Sequence, residues 1–269
     1  MVNPARQPCK SVFDKAHLKT GTTAWPARWL FMKHVFALLT LILSLAFAIA
    51  PALSDPFSGF REDQLPIPQI DPPVQPAGYA FAIWGLIYAW LVVSAVYGVW
   101  KRTDDRDWNR ARLPLIISLA VGTPWLAVAN ASALWATFLI FVMAEGAIAS
   151  LLRAPHRDIW WFRVPVGIYA GWLTAAAFVS LGSTAAGYDF LTGPVGWAYI
   201  CISGALVVTT LVLRRAASPA YGLTVIWALI AIVVANGTAR VDISILATLG
   251  AVMVAILTRA AWLNARRSS

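Results

Sequence analysis

The sequence predicts an all-α fold, a polytopic membrane helix bundle of about eight transmembrane helices, on three observations. The 269-residue chain is 59% hydrophobic and 12% charged, with 14 tryptophans, a composition typical of membrane proteins. Apolar runs at 34–53, 78–100, 113–130, 132–152, 161–182, 194–213, 219–236 and 241–262 approach the roughly 20 residues that cross about 30 Å of hydrocarbon. The cations are sorted by side. Six Lys or Arg precede the first run, five lie at 101–112, three at 153–163, two at 214–215 and three from 259 onward, leaving only Arg61 and Arg240 on the opposite side. That asymmetry sets both termini in the cytoplasm, and the Ala-rich, Arg-over-Lys composition suggests a bacterial inner membrane.

Residues 1–31 carry Pro, Lys, Thr and Gly without sustained periodicity and read as a mobile cytoplasmic tail that precedes the first span. Two questions stay open here. Met32 is an alternative start, and the stretch from Met32 to Asp55 also has the basic start, apolar middle and small-x-small site (Ala48-Ile49-Ala50) of a secretory signal. The run from Val35 to Leu53 is long enough to span, and a retained helix is the reading adopted. Residues 54–77 then form a long outer loop with six prolines, which remove backbone donors and forbid continuous helix or sheet. It reads either as a solvated connector or as a lid over a cavity.

The second span opens with rings. Phe81, Trp84 and Tyr88 stand at i, i+3 and i+7, within a sector of about 60°. Tyr79 suits the interfacial belt, but Trp84 and Tyr88 sit roughly 9 and 15 Å into the helix, deeper than belt preference explains. The third and fourth spans contribute Asn130 and Trp135 at their junction, and the fourth carries Glu145, the only acid well inside a span. An intramembrane carboxylate costs a few kcal/mol or more. Glu145 is read as a structural group, either protonated or ion-paired with a cation such as Arg163, as a ligand contact or as a proton relay. In the fifth span Gly167, Gly171 and Ala175 form a small-xxx-small packing ridge. Tyr169, Trp172 and Ala176 form a separate sector about 130° around the helix and can face an interior space. The last three spans show no comparable pattern.

The segments Pro76-Ala77-Gly78-Tyr79-Ala80-Phe81-Ala82-Ile83-Trp84-Gly85-Leu86-Ile87-Tyr88 and Pro165-x3-Tyr169-x-Gly171-Trp172-x2-Ala175 resemble the tryptophan-rich sensory protein family. This is also called the translocator or peripheral benzodiazepine receptor family. The resemblance covers about 34–182 and implies a five-helix core over 32–182, with three further helices over 183–269, as in the family's longer branch. It implies a pocket among the first, second and fifth helices, closed by the 54–77 loop, that takes tetrapyrroles, sterols or synthetic aromatic ligands. The resemblance carries over Trp84, Tyr88, Trp172 and Ala175, with Asn130 and Trp135 as an imperfect match. With the ring faces read from periodicity added, the expected ligand-binding residues are Phe81, Trp84, Tyr88, Asn130, Trp135, Tyr169, Trp172 and Ala176. Asn130 and Trp135 are spaced more widely than in compact members, and Ser180 stands where a fifth-helix asparagine is expected.

Expected partners are membrane lipid and a hydrophobic small molecule, with a homodimer at family level supported locally by Gly167 and Gly171. The net charge of +9 is a topology signal, and nucleic acid is not an expected partner. No cofactor is required, a porphyrin being a candidate ligand; no histidine lies deep in a span to ligate a haem iron. Cys9 and Cys201 give neither a disulfide nor a Cys-x-x-Cys site. Walker, His-Glu-x-x-His and Gly-x-Ser-x-Gly motifs are missing, no span holds a lysine for a Schiff base, and the reading is not an enzyme. Two other functions remain in view: a secondary transporter coupled to protons through Glu145, and a membrane scaffold.

Overall fold

The computed structural model describes residues 25–55, 57 and 59–267, with side chains from 34 to 263. Most of the expected tail, residues 1–24, lies outside the described residues. Eight long α-helices and no strand occur among the described residues: α1 Trp25–Ile49, α2 Ile83–Lys101, α3 Arg106–Ala131, α4 Ala133–Leu152, α5 Val164–Gly187, α6 Pro194–Ala216, α7 Pro219–Asn236 and α8 Val241–Arg267. Each forms the main part of a segment long and apolar enough to cross a membrane. The chain is therefore an integral membrane protein of helical type.

Local chemistry sets the boundaries that hydropathy blurs. α3 starts well before residue 113 because Asp105 accepts from the backbone N–H groups of Asp107 and Trp108, an N-cap that begins the helix among charged residues. Its first turns bury Arg112, 1% exposed, whose guanidinium donates to Gly98 O (2.7 Å), Arg102 O (3.1 Å) and Asn109 Oδ1 (2.7 Å). Ser132 both closes α3 and caps α4 by accepting from the Trp135 N–H, so these helices meet across one residue. A π-turn, Ile159–Arg163, precedes α5. Trp90 Nε1 donates to the Trp160 carbonyl in that turn at 3.1 Å.

α5 is the hub, packed against α2, α4, α6 and α7. On one side α1 to α4 form a bundle; on the other α6 and α7 rest on α5, with α8 behind them. The α5–α7 seam is tight because its residues are small. A Cβ at Gly167 would stand 2.7 Å from Ser218 Oγ, and one at Gly171 would stand 2.6 Å from the Tyr221 carbonyl. The Thr174 and Tyr221 hydroxyls meet at 2.9 Å in the same seam. The glycine ridge that suggested a homodimer is thus filled within the chain.

The 54–77 loop is seated on the bundle. Leu65 and Val74 are 6% and 3% exposed, and Leu65 Cδ1 lies 2.7 Å from where Gly187 would carry a Cβ. A solvated connector would not bury such side chains. Three helices and the turn before α8 hold the loop. Gln64 Nε2 donates to Ala129 O of α3 (2.8 Å), the Ile67 N–H to Gly187 O of α5 (2.9 Å), Asn236 Nδ2 of α7 to Pro73 O (2.9 Å), and Arg240 Nη1, just before α8, to Asp71 O (2.8 Å).

Candidate ligand cavity

Beneath this loop α1 to α5 enclose a cavity of about 260 Å³. Its wall is aromatic: Phe47 from α1, Phe57 and Phe60 from the loop, Phe81 from the 3₁₀ turn Gly78–Ala82, Trp84 and Tyr88 from α2, Trp125 from α3 and Trp172 from α5. Trp84 and Tyr88 stack with centroids 5.3 Å apart and planes 15° from parallel. Phe47 meets them edge-on at 5.9 and 5.1 Å, and Trp172 meets Phe81 and Trp84 edge-on at 5.8 and 6.2 Å. These are the favoured ring arrangements and hold the wall in a fixed shape.

Of the residues the sequence nominated, Phe81, Trp84, Tyr88, Trp172 and Ala176 line the cavity together. Ala175, assigned to packing, lines it too. Three others do not. Tyr169 is fully buried below the lining, its hydroxyl 2.9 Å from Ser118 Oγ, which itself donates to Met143 O. It braces Phe47 edge-on at 5.6 Å. Asn130 donates Nδ2 to the Asp55 carbonyl at 3.2 Å and so anchors the loop. Trp135 is 62% exposed on α4, with Phe138 edge-on beside it at 6.1 Å. Its wider spacing from Asn130, across the α3–α4 junction, turns it away from the interior.

Glu145 also lies outside the cavity. It is exposed, on the outward stripe of α4 shared by Leu134, Phe138 and Leu152. The expected pairing with Arg163 is not formed: Arg163 is buried and donates Nη1 to Ala154 O at 3.1 Å. No hydrogen bond or ion pair of Glu145 is found among the described residues.

Sequence reasoning passed over Phe47, Trp125, Phe57, Phe60 and Ser183. Phe47 had no signal in an ordinary Leu/Ala-rich span, whereas two phenylalanines in a Pro-rich outer loop were a visible oddity. Two buried donors on lining residues have no partner among the described residues: Trp172 Nε1 and Ser183 Oγ, on residues 2% and 4% exposed. Buried donors are normally satisfied, so these two are exceptions, and both atoms are shielded from the cavity's free space. No group of three or more His, Cys, Asp or Glu that could hold a metal occurs among the described residues.

The bundle's other end is closed by charge. Asp158, 5% exposed, accepts from Arg102 Nε (2.8 Å) and Nη2 (3.1 Å) and from Trp108 Nε1 (2.8 Å). Arg102, with help from Trp108, holds the Asp158 carboxyl below the usual carboxylate range against the opposing effect of burial. Asp105 pairs with Arg157 beside it.

A polytopic helical membrane protein with a ring-lined cavity under a tethered loop is the class this geometry defines. The TSPO-like protein family model matches residues 28–260, and the chain belongs to that family. The match includes the last three helices, which the sequence motifs did not reach. No curated protein and no solved structure matches the chain.

Proposed function

We propose that this protein binds a flat hydrophobic ligand, tetrapyrrole- or sterol-like in shape, in the cavity beneath the 54–77 loop, and senses or moves it across the membrane. In this reading it sits in a bacterial inner membrane with both termini cytoplasmic, so the cavity opens toward the outer face. The observation that carries the proposal is the ring-lined cavity whose wall includes the stacked Trp84–Tyr88 pair and Trp172, which meets Trp84 edge-on. Each ring contact a flat ligand makes there contributes about 0.5–1.5 kcal/mol beyond the apolar area it buries. Glu145 lies off this path, which favours binding by shape over proton coupling.

The test is a titration of an uncharged, metal-free porphyrin into the protein in lipid nanodiscs, with wild type, Trp84→Ala and Trp172→Ala. Saturable one-to-one binding, weakened about tenfold or more in both folded variants, supports the proposal. Equal, non-saturating uptake by all three refutes it.

A further inference from the structure

Asp55, an exposed residue at the cavity mouth, is the only charged residue lining the cavity among the described residues; no Lys, Arg or His lines it. The carboxylate has no hydrogen bond or ion pair there, since it is the Asp55 backbone carbonyl that receives Asn130 Nδ2. Arg61, close enough to act on Asp55 through space, is already engaged. Its Nε and Nη2 hold Asp63 at 2.9 and 3.2 Å, and its Nη1 donates to Asn130 O at 3.2 Å. The remaining wall is apolar or aromatic, apart from neutral groups such as Gln69, Gln75, Ser180 and Ser183.

A lining of aromatic rings with one unpaired carboxylate is selective by charge. Ring faces carry negative electrostatic potential and attract a cation, most strongly where water is excluded. A ligand carboxylate entering the same space loses its hydration, meets ring faces and Asp55, and finds no cation to compensate. Resting on the reading that this cavity takes a flat hydrophobic ligand, we propose that it selects lipophilic cations: aromatic bodies bearing an amine, quaternary ammonium or pyridinium group. The ring system lies in the cavity against the wall that Trp84, Tyr88 and Trp172 form, and the positive group sits at the mouth beside Asp55. A porphyrin carrying free carboxylates is then a poorer ligand than the same ring with neutral or cationic arms.

The experiment uses three pyrene probes that differ only in the end group, a trimethylammonium, an alcohol and a carboxylate. Each is titrated into wild type, Asp55→Asn and Trp84→Ala in phosphatidylcholine nanodiscs, with empty nanodiscs subtracted for partition. The expected result is that the ammonium binds about tenfold or more tighter than the carboxylate, with the alcohol between. Asp55→Asn should reduce the ammonium's advantage severalfold while leaving the alcohol unchanged. Because the loop bond is made by the backbone, this variant keeps the Asn130 anchor. Equal affinities for all three probes, each weakened by Trp84→Ala, overturn the charge selectivity and leave the cavity reading standing. A tighter carboxylate, or an Asp55→Asn effect of the same size on every probe, also overturns it. No saturable binding of any probe refutes the cavity reading and the selectivity with it.

Discussion

Replacing Gly171 by alanine tests whether the small-residue ridge of α5 serves the chain's own interior. A Cβ at that position would lie 2.6 Å from the Tyr221 carbonyl oxygen and 3.0 Å from Thr224 Cβ, where ordinary contact needs at least 3.4 Å. The first of these obstacles is backbone, so α7 must move away from α5 by up to about 1 Å. Overpacking of this kind costs about 1–3 kcal/mol, while alanine's better helix propensity returns up to about 1 kcal/mol. At about 2–4 °C per kcal/mol for a chain of this size, a fall of several degrees in melting temperature is expected, and a larger one for Gly171→Leu. Gly85 supplies the control: no atom lies within 4 Å of a Cβ built there, so Gly85→Ala should leave stability unchanged or raise it. Thermal unfolding in detergent, with size-exclusion chromatography on the same samples, makes the measurement. Unchanged melting of Gly171→Leu together with loss of a dimer would place the ridge between chains and refute the reasoning.

Asp158→Ala removes the acceptor of Arg102 and of the buried Trp108 N–H and should destabilise by about 2–4 kcal/mol, measured as loss of thermal stability. Since Asp158 is held below its unfolded value, its contribution is complete above about pH 4 and disappears as pH falls through the lower folded value; Asp158→Asn should flatten that acid limb. Asn236→Ala combined with Arg240→Ala frees the Pro73 and Asp71 carbonyls, and faster hydrogen exchange over 71–77 is expected, with α5 unaffected. Glu145→Leu should leave porphyrin binding unchanged and keep or raise stability, because an unpaired outward carboxylate in hydrocarbon gives way to an apolar group. Loss of binding in that variant would restore Glu145 to the site.

The helices were legible because hydrophobic length is a physical requirement of the bilayer, and each of the eight runs became a helix. The α2 ring ladder was legible for a similar reason, since helical periodicity alone put Phe81, Trp84 and Tyr88 on one face, where they line the cavity. Contacts set by the third dimension were not. Tyr169 and Trp172 share a sector of α5, yet Tyr169 reaches below the cavity to Ser118, a partner on another helix. Charges counted as a topology signal turned out to have structural work as well: Arg102 binds Asp158, and Arg112 closes on the end of α2. Hydropathy also gave α6 to α8 no role, whereas α7 forms the tight seam with α5 and holds the loop through Asn236.

The most direct measurement is photoaffinity mapping with an uncharged flat aromatic probe carrying a diazirine, irradiated in nanodiscs and read by peptide sequencing. The account predicts adducts on the cavity-lining residues, chiefly the 81–88 and 172–183 segments, the 54–77 loop, Phe47 and Trp125, suppressed by excess unlabelled ligand. Competable adducts concentrated on α6, α8 or the outward face of α4, with none at Trp84 or Trp172, would contradict it.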